Sequence, residues 1–140
     1  MNWAKEAAMS PYQTAVAVKQ QIQSGDMKEA DTGITELIDA LAKSERRALK
    51  SQLVRLMAHI VKWRTQPERR NRSWAASIHG ARDEISDIQE ETPSITDAKI
   101  RELWNRCFKL AKEQAEAEME SKSAVKTLTW EEVFTAEYRV

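Results

Sequence analysis

Apolar positions along this chain recur mostly three and four residues apart, the spacing that lines one side of an α-helix. Ser10-Pro11 reads as a helix start, with the serine as N-cap and the proline in the first turn. Gly25 stops that helix after about Ser24. From Met27 to Lys43, Ile34, Leu37, Ile38 and Leu41 fall on one seam at helical spacing. Ser44 reads as the cap of a third, long helix. On it Leu49, Leu53, Leu56, Met57, Ile60 and Trp63 cover one side, and Val54 and Val61 widen the apolar arc. The remaining polar seam is narrow: Arg47, Ser51, Arg55, Lys62 and, at its edge, His59. A helix apolar over so wide an arc is packed by several neighbours, so this one is expected at the centre of the fold.

Pro67 marks the start of a fourth helix, whose Trp74, Ile78, Ala81, Ile85 and Ile88 form a single stripe. Thr92-Pro93-Ser94 ends it. A fifth helix begins at Asp97 and turns Ile100, Leu103, Trp104, Cys107, Leu110 and Ala111 inward, while its polar far end, EQAEAEMESKS, is expected to fray. Thr129-Trp130-Glu131-Glu132 is a capping-box pattern that predicts a short last helix with Val133 and Phe134. The pattern predicts one all-α domain over residues 1–140, a bundle of about five helices plus a short C-terminal one, with no sheet.

Composition agrees with the pattern. Only three glycines and three prolines interrupt 140 residues, of which 41% are hydrophobic and 31% charged, a helical and globular balance. The single cysteine, Cys107, excludes a disulfide framework within the chain and suits a reducing compartment. The opening MNWAKEAAMS has no apolar signal-peptide core, and stretches such as LMAHIV are too short to span a bilayer. The expectation is a cytoplasmic protein with no membrane partner.

Net charge is zero but unevenly spread: residues 46–82 hold ten Lys/Arg and one acid, Glu68, while both flanks are acidic. Acidic flanks could fold against the basic middle and neutralise it, or a basic face could remain open to an anion. In the second case Arg47, Arg55, Lys62, Arg69 and Arg72 form the anion or nucleic-acid face, with a tryptophan to stack on a base. Trp63 and Trp74 are in register with apolar stripes, however, and no helix-turn-helix or RNA-binding signature is visible. Arg70 precedes Trp74 by four and is expected to point inward, as part of a buried polar network with Gln66, Glu36, Asp39 and His59. An isolated buried guanidinium is too costly, and the carbonyls at the end of the third helix are its favoured acceptors.

Catalytic signatures do not stand out. There is no GxGxxG, P-loop or nucleophile elbow, and neither histidine has the Glu-x-x-His spacing of a di-metal bundle. Glu36 and Asp39 share a face one turn apart, but with no third ligand evident they read as a solvated acidic face, not a metal site. Cys107 sits on an apolar stripe and reads as a buried, inert thiol. No catalytic residue, metal or cofactor is assigned.

The segment from Ser44 to Ile95 resembles the bacterial domain-of-unknown-function family 29. The motifs that carry the likeness are SERRAL at Ser44 to Leu49, His59 with Lys62 and Trp63, QPERR at Gln66 to Arg70, Ser73-Trp74, and Pro93 to Ile95. Upstream, ELID keeps Glu36 and Asp39 but has Leu37 where the family pattern has an acid, and Leu128 to Glu131 is similar to its closing helix. The resemblance implies an all-helical bacterial protein and brings no activity, ligand or catalytic residue. The functional expectation is therefore a non-enzymatic binding or interaction protein, with a protein partner or self-association. A nucleic-acid-associated module using the basic face is the alternative, and an enzyme centred near His59, Glu36 and Asp39 ranks last.

Overall fold

A single helix of 39 residues, α3 (Met27–Thr65), dominates the molecule. The computed structural model describes residues 1–140 and contains no strand. Two helices precede α3, α1 (Trp3–Met9) and α2 (Pro11–Gln23). After it come a 3₁₀ turn (Pro67–Arg69), α4 (Arg72–Glu91), α5 (Asp97–Met119) and the short α6 (Trp130–Phe134).

Five longer helices and a short one match the expected number, but two members differ. The two helices expected on either side of Ser44 are one. Ser44 is exposed inside α3, and the Ala, Lys, Glu, Arg and Leu around it propagate a helix, so a lone serine without glycine or proline does not break it. The missing helix is α1, capped by the Asn2 side chain, which accepts from the Lys5 amide. Pro67 opens the 3₁₀ turn instead of α4. Helix α4 starts at Arg72, with Asn71 as N-cap accepting from the Trp74 amide at 2.9 Å.

The chain divides into two compact units, Met1–Arg47 and Ala48–Val140. In the N-terminal unit, α1 and α2 pack with the first part of α3 around a small core of Trp3, Val18 and Ala30. Ser10 caps α2 as expected, accepting from the Gln13 amide, and Gly25 follows it in a left-handed turn at φ 87°. Gly33 decides the packing. A Cβ there would stand 2.8 Å from the Trp3 ring and from Val18, so only glycine lets the indole lie on α3. The Trp3 Nε1–H donates to Glu29 at 2.7 Å. Of the expected seam only Leu37 is buried, with Ala30 and Gly33, and the other three turn outward: Ile34 is 40% exposed, Ile38 60% and Leu41 45%.

In the C-terminal unit the rest of α3 runs through the core. Leu53, Leu56, Met57 and Ile60 have no exposure, and they meet Ile78 and Ala81 of α4 and Ile100, Cys107 and Ala111 of α5. Each such aliphatic side chain contributes about 1.5–3 kcal/mol by leaving water. Leu110, expected inward, is exposed, and α5 does not fray. Ala111 and Ala115 are fully buried, and Glu120 closes the helix in the left-handed conformation at φ 53°. The Ser123 amide donates to Glu116 at 2.7 Å, turning the chain back along the unit. Val125, Leu128, Val133 and Tyr138 then enter the core. The capping box at Thr129 and Glu132 is present at the start of α6.

Candidate functional site

Three groups of side chains in the molecule carry chemistry. The first is the polar seam of α3 in the C-terminal unit, where Arg55, His59 and Lys62 recur at helical spacing. Lys62 is buried to 8% exposure, pairs with Glu118 of α5 and lies over the Trp74 ring at 5.9 Å. A lysine this deep needs its carboxylate, and the same contact holds the Glu118 carboxyl below its ordinary range. The His59 ring donates from Nδ1–H to the Arg55 carbonyl at 2.9 Å, since a carbonyl can only accept. Its Nε2 is therefore the basic nitrogen of the neutral ring. Burial pushes the His59 pKa down, and Lys62 adds to the shift. Arg55 is half-buried, bonded to Gln52 at 3.2 Å and passing close to Gly80.

The second group uses arginines to hold the C-terminal segment. Arg64 donates to the Thr127 carbonyl and to the Glu132 carboxylate, the latter at 3.0 Å. Arg82 donates to the Val133 carbonyl at 2.8 Å and also to the Glu132 carbonyl. Tyr138 donates its hydroxyl to that same Glu132 carbonyl at 2.7 Å, and its ring stands edge-on to Trp63 at 5.5 Å. Arg70 donates to the Trp63 carbonyl at 2.8 Å, with its guanidinium over the Trp63 ring at 5.0 Å. The residue is exposed, however, because it belongs to the turn before α4 and not to the apolar stripe of that helix.

The third group lies in the N-terminal unit. Glu36 and Asp39 line a groove of about 310 Å³ between α1 and α3, together with Lys43 and Arg47, over a floor of small residues that includes Ala4, Ala7 and Ala40. No ion pair joins these four charges, and no group of three His, Cys, Asp or Glu side chains in the molecule is placed to hold a metal.

The residues singled out in the sequence are thus distributed. Of the five basic residues, Arg55 and Lys62 share the seam, and Lys62 is engaged by Glu118. Arg69 and Arg72 are exposed around the 3₁₀ turn, and Arg47 belongs to the N-terminal groove. Of the polar-network residues, Glu36 and Asp39 are in the N-terminal unit. His59, Gln66 and Arg70 are in the other, where Gln66 precedes the turn without a side-chain cap bond. Sequence reasoning missed Glu118, Glu132, Arg64 and Arg82. Only the capping box pointed to Glu132, and no local pattern links residues so far apart in the chain. It placed Trp104 inward and Trp130 in the capping box but missed their pairing, stacked at 5.5 Å with Arg101 over the Trp130 face at 4.2 Å.

A sequence model of the family described as "Domain of unknown function DUF29" matches residues 12–138, which is nearly the whole chain. The chain belongs to this family. The match extends well beyond the segment from Ser44 to Ile95, taking in α2, all of α3 and the C-terminal segment through Tyr138. No curated protein and no solved structure matches the chain. No helix is long and apolar enough to cross a membrane.

Proposed function

We propose that this protein is a non-enzymatic helical interaction module whose contact surface is the outward face of α3 in the N-terminal unit. The observation that carries the reading is the exposed stripe of Ile34, Ile38 and Leu41, continued by Met27 at 56% exposure. Scattered apolar residues on a surface need no explanation, but a contiguous stripe along one helix is the usual form of a binding face. The cations of the basic segment support the same reading, since Lys62, Arg64, Arg70 and Arg82 are occupied within their own unit. The buried thiol of Cys107, whose pKa burial pushes up, suits a reducing cytoplasm, and the family resemblance supports a bacterial source.

The test places a photo-crosslinking amino acid at Leu41 in cells. A discrete adduct that disappears when Ile38→Glu is added supports the reading. Crosslinks no stronger than from a control position on exposed Lys109 overturn it.

A further inference from the structure

The stripe on α3 has a symmetry that selects its occupant. At 100° per residue Met27, Ile34, Ile38 and Leu41 lie within about one sixth of the helix circumference. Four charged residues stand toward the two ends of this stripe: Lys28 and Asp31 just after Met27, Glu45 and Arg46 beyond Leu41, with Lys28, Asp31 and Arg46 on one flank and Glu45 on the line of the stripe itself. Each end therefore carries one cation and one anion. None of the four is in an ion pair within the chain, and Lys28, Asp31 and Arg46 are exposed.

We infer that the face is built to receive a second copy of itself, with the two α3 helices antiparallel. This rests on the reading of the stripe as a contact surface. A two-fold axis crossing α3 beside Ile38 lays Ile34 of each copy on Leu41 of the other and brings the two Ile38 side chains together. It also brings Lys28 and Asp31 of one copy to Glu45 and Arg46 of the second. In a two-fold antiparallel pair, like flanks face one another, so charges on one flank meet across the contact and each acid finds a base. A parallel copy in register would instead carry Lys28, Asp31 and Arg46 of the two copies to opposite sides of the contact, where they meet no partner, and would set Glu45 against Glu45 on the line of the stripe. Exposure of the stripe in the single chain and charge complementarity under one symmetry operation both follow from the same helix. The contact is one helix wide, which places it at the small end of specific interfaces, about 800 Å² per partner being the standard size, and makes the dimer concentration-dependent.

The experiment is sedimentation equilibrium of the full chain over a dilution series reaching about 0.5 mM. The expected result is a mass rising from one chain toward two. Ile38→Glu should abolish the rise while leaving the helical circular dichroism unchanged, since Ile38 is 60% exposed. Arg46→Asp should weaken association by about tenfold or more, as one lost charge pair with new repulsion costs over about 1.4 kcal/mol. Asp31→Arg combined with Arg46→Asp should restore it to within about threefold, because the swapped charges again meet. A mass of one chain at every concentration overturns the inference, as does a dimer indifferent to Ile38→Glu or a double swap that rescues nothing. A purified chain that stays single while Leu41 still crosslinks to other proteins in cells overturns self-association alone and leaves the interaction reading standing. Loss of both overturns both.

Discussion

The two units of this chain use one helix in opposite ways. In the C-terminal unit the apolar residues of α3 are nearly all consumed: Leu49, Leu53, Leu56, Met57 and Ile60 have at most 1% exposure. In the N-terminal unit the core cluster is Trp3, Val18 and Ala30, with Ala7, Thr14 and Leu37 also buried, while Ile34, Ile38 and Leu41 of the same helix face outward and Met9, Tyr12 and Ile22 are exposed as well. Helical periodicity is equally good in both stretches. What differs is the supply of neighbours, since three further helices and a returning C-terminal segment surround α3 in one unit and two short helices accompany it in the other. Periodicity shows that a face is apolar. It does not show that the chain itself provides a cover.

The largest expected effect sets these two stretches against each other. Leu56→Ala removes a fully buried side chain and should cost about 3–4 kcal/mol, whereas Ile38→Ala should change the stability of dilute protein by under about 0.5 kcal/mol. Denaturant melts measure both, and similar losses at the two sites would erase the contrast. Gly33→Ala comes next. Its new methyl group would overlap Trp3 and Val18, and the overpacking cost of about 1–3 kcal/mol exceeds the helix-propensity gain of about 1 kcal/mol. Amide exchange should speed up within residues 1–47 and stay unchanged in the core of the C-terminal unit. Uniform acceleration over all residues would show that the units do not unfold separately.

The smallest effect is one of pH. The His59 pKa is lowered by folding, so the unfolded chain binds a proton more readily than the folded one. Its contribution to stability is fully present above the unfolded value of about 6.5 and is lost as pH falls through the window below it. Glu118 is also held down, by Lys62, and its contribution disappears only in a lower window, below about pH 4.3. His59→Gln should flatten the upper limb of the pH–stability curve and leave the acid limb in place. A curve unchanged by His59→Gln would show that the ring is solvated in both states.

Features encoded by near neighbours were legible. Ser10-Pro11, Gly25 and the Thr129 capping box each act within a turn of themselves and are where the pattern puts them. Features that depend on a distant partner were not. Seven residues of α1 are too few for periodicity, and what fixes them is Trp3 seated on Gly33, thirty positions away in the chain. Lys62 reads as a solvent-facing cation until Glu118 is placed beside it. The tail of α5 reads as polar because the residue that enters the core there, Ala115, is small and weighs little in any hydrophobic count.

Apart from the Arg64 contact to the Glu132 carboxylate, the arginines that hold the C-terminal segment reach for main-chain oxygen: Arg64 for Thr127, Arg82 for Glu132 and Val133. A carbonyl is the same group whatever side chain its residue bears. Such a clasp reads the path of the strap and not its lettering, so Thr127 and Glu131, both exposed, are free to change identity without loosening it. The position least able to drift is that of the Arg82 guanidinium, because a lysine in its place gives up the planar fork that spans two carbonyls at once. Tolerance in the strap and intolerance in the clasp is the pattern of substitution this geometry permits.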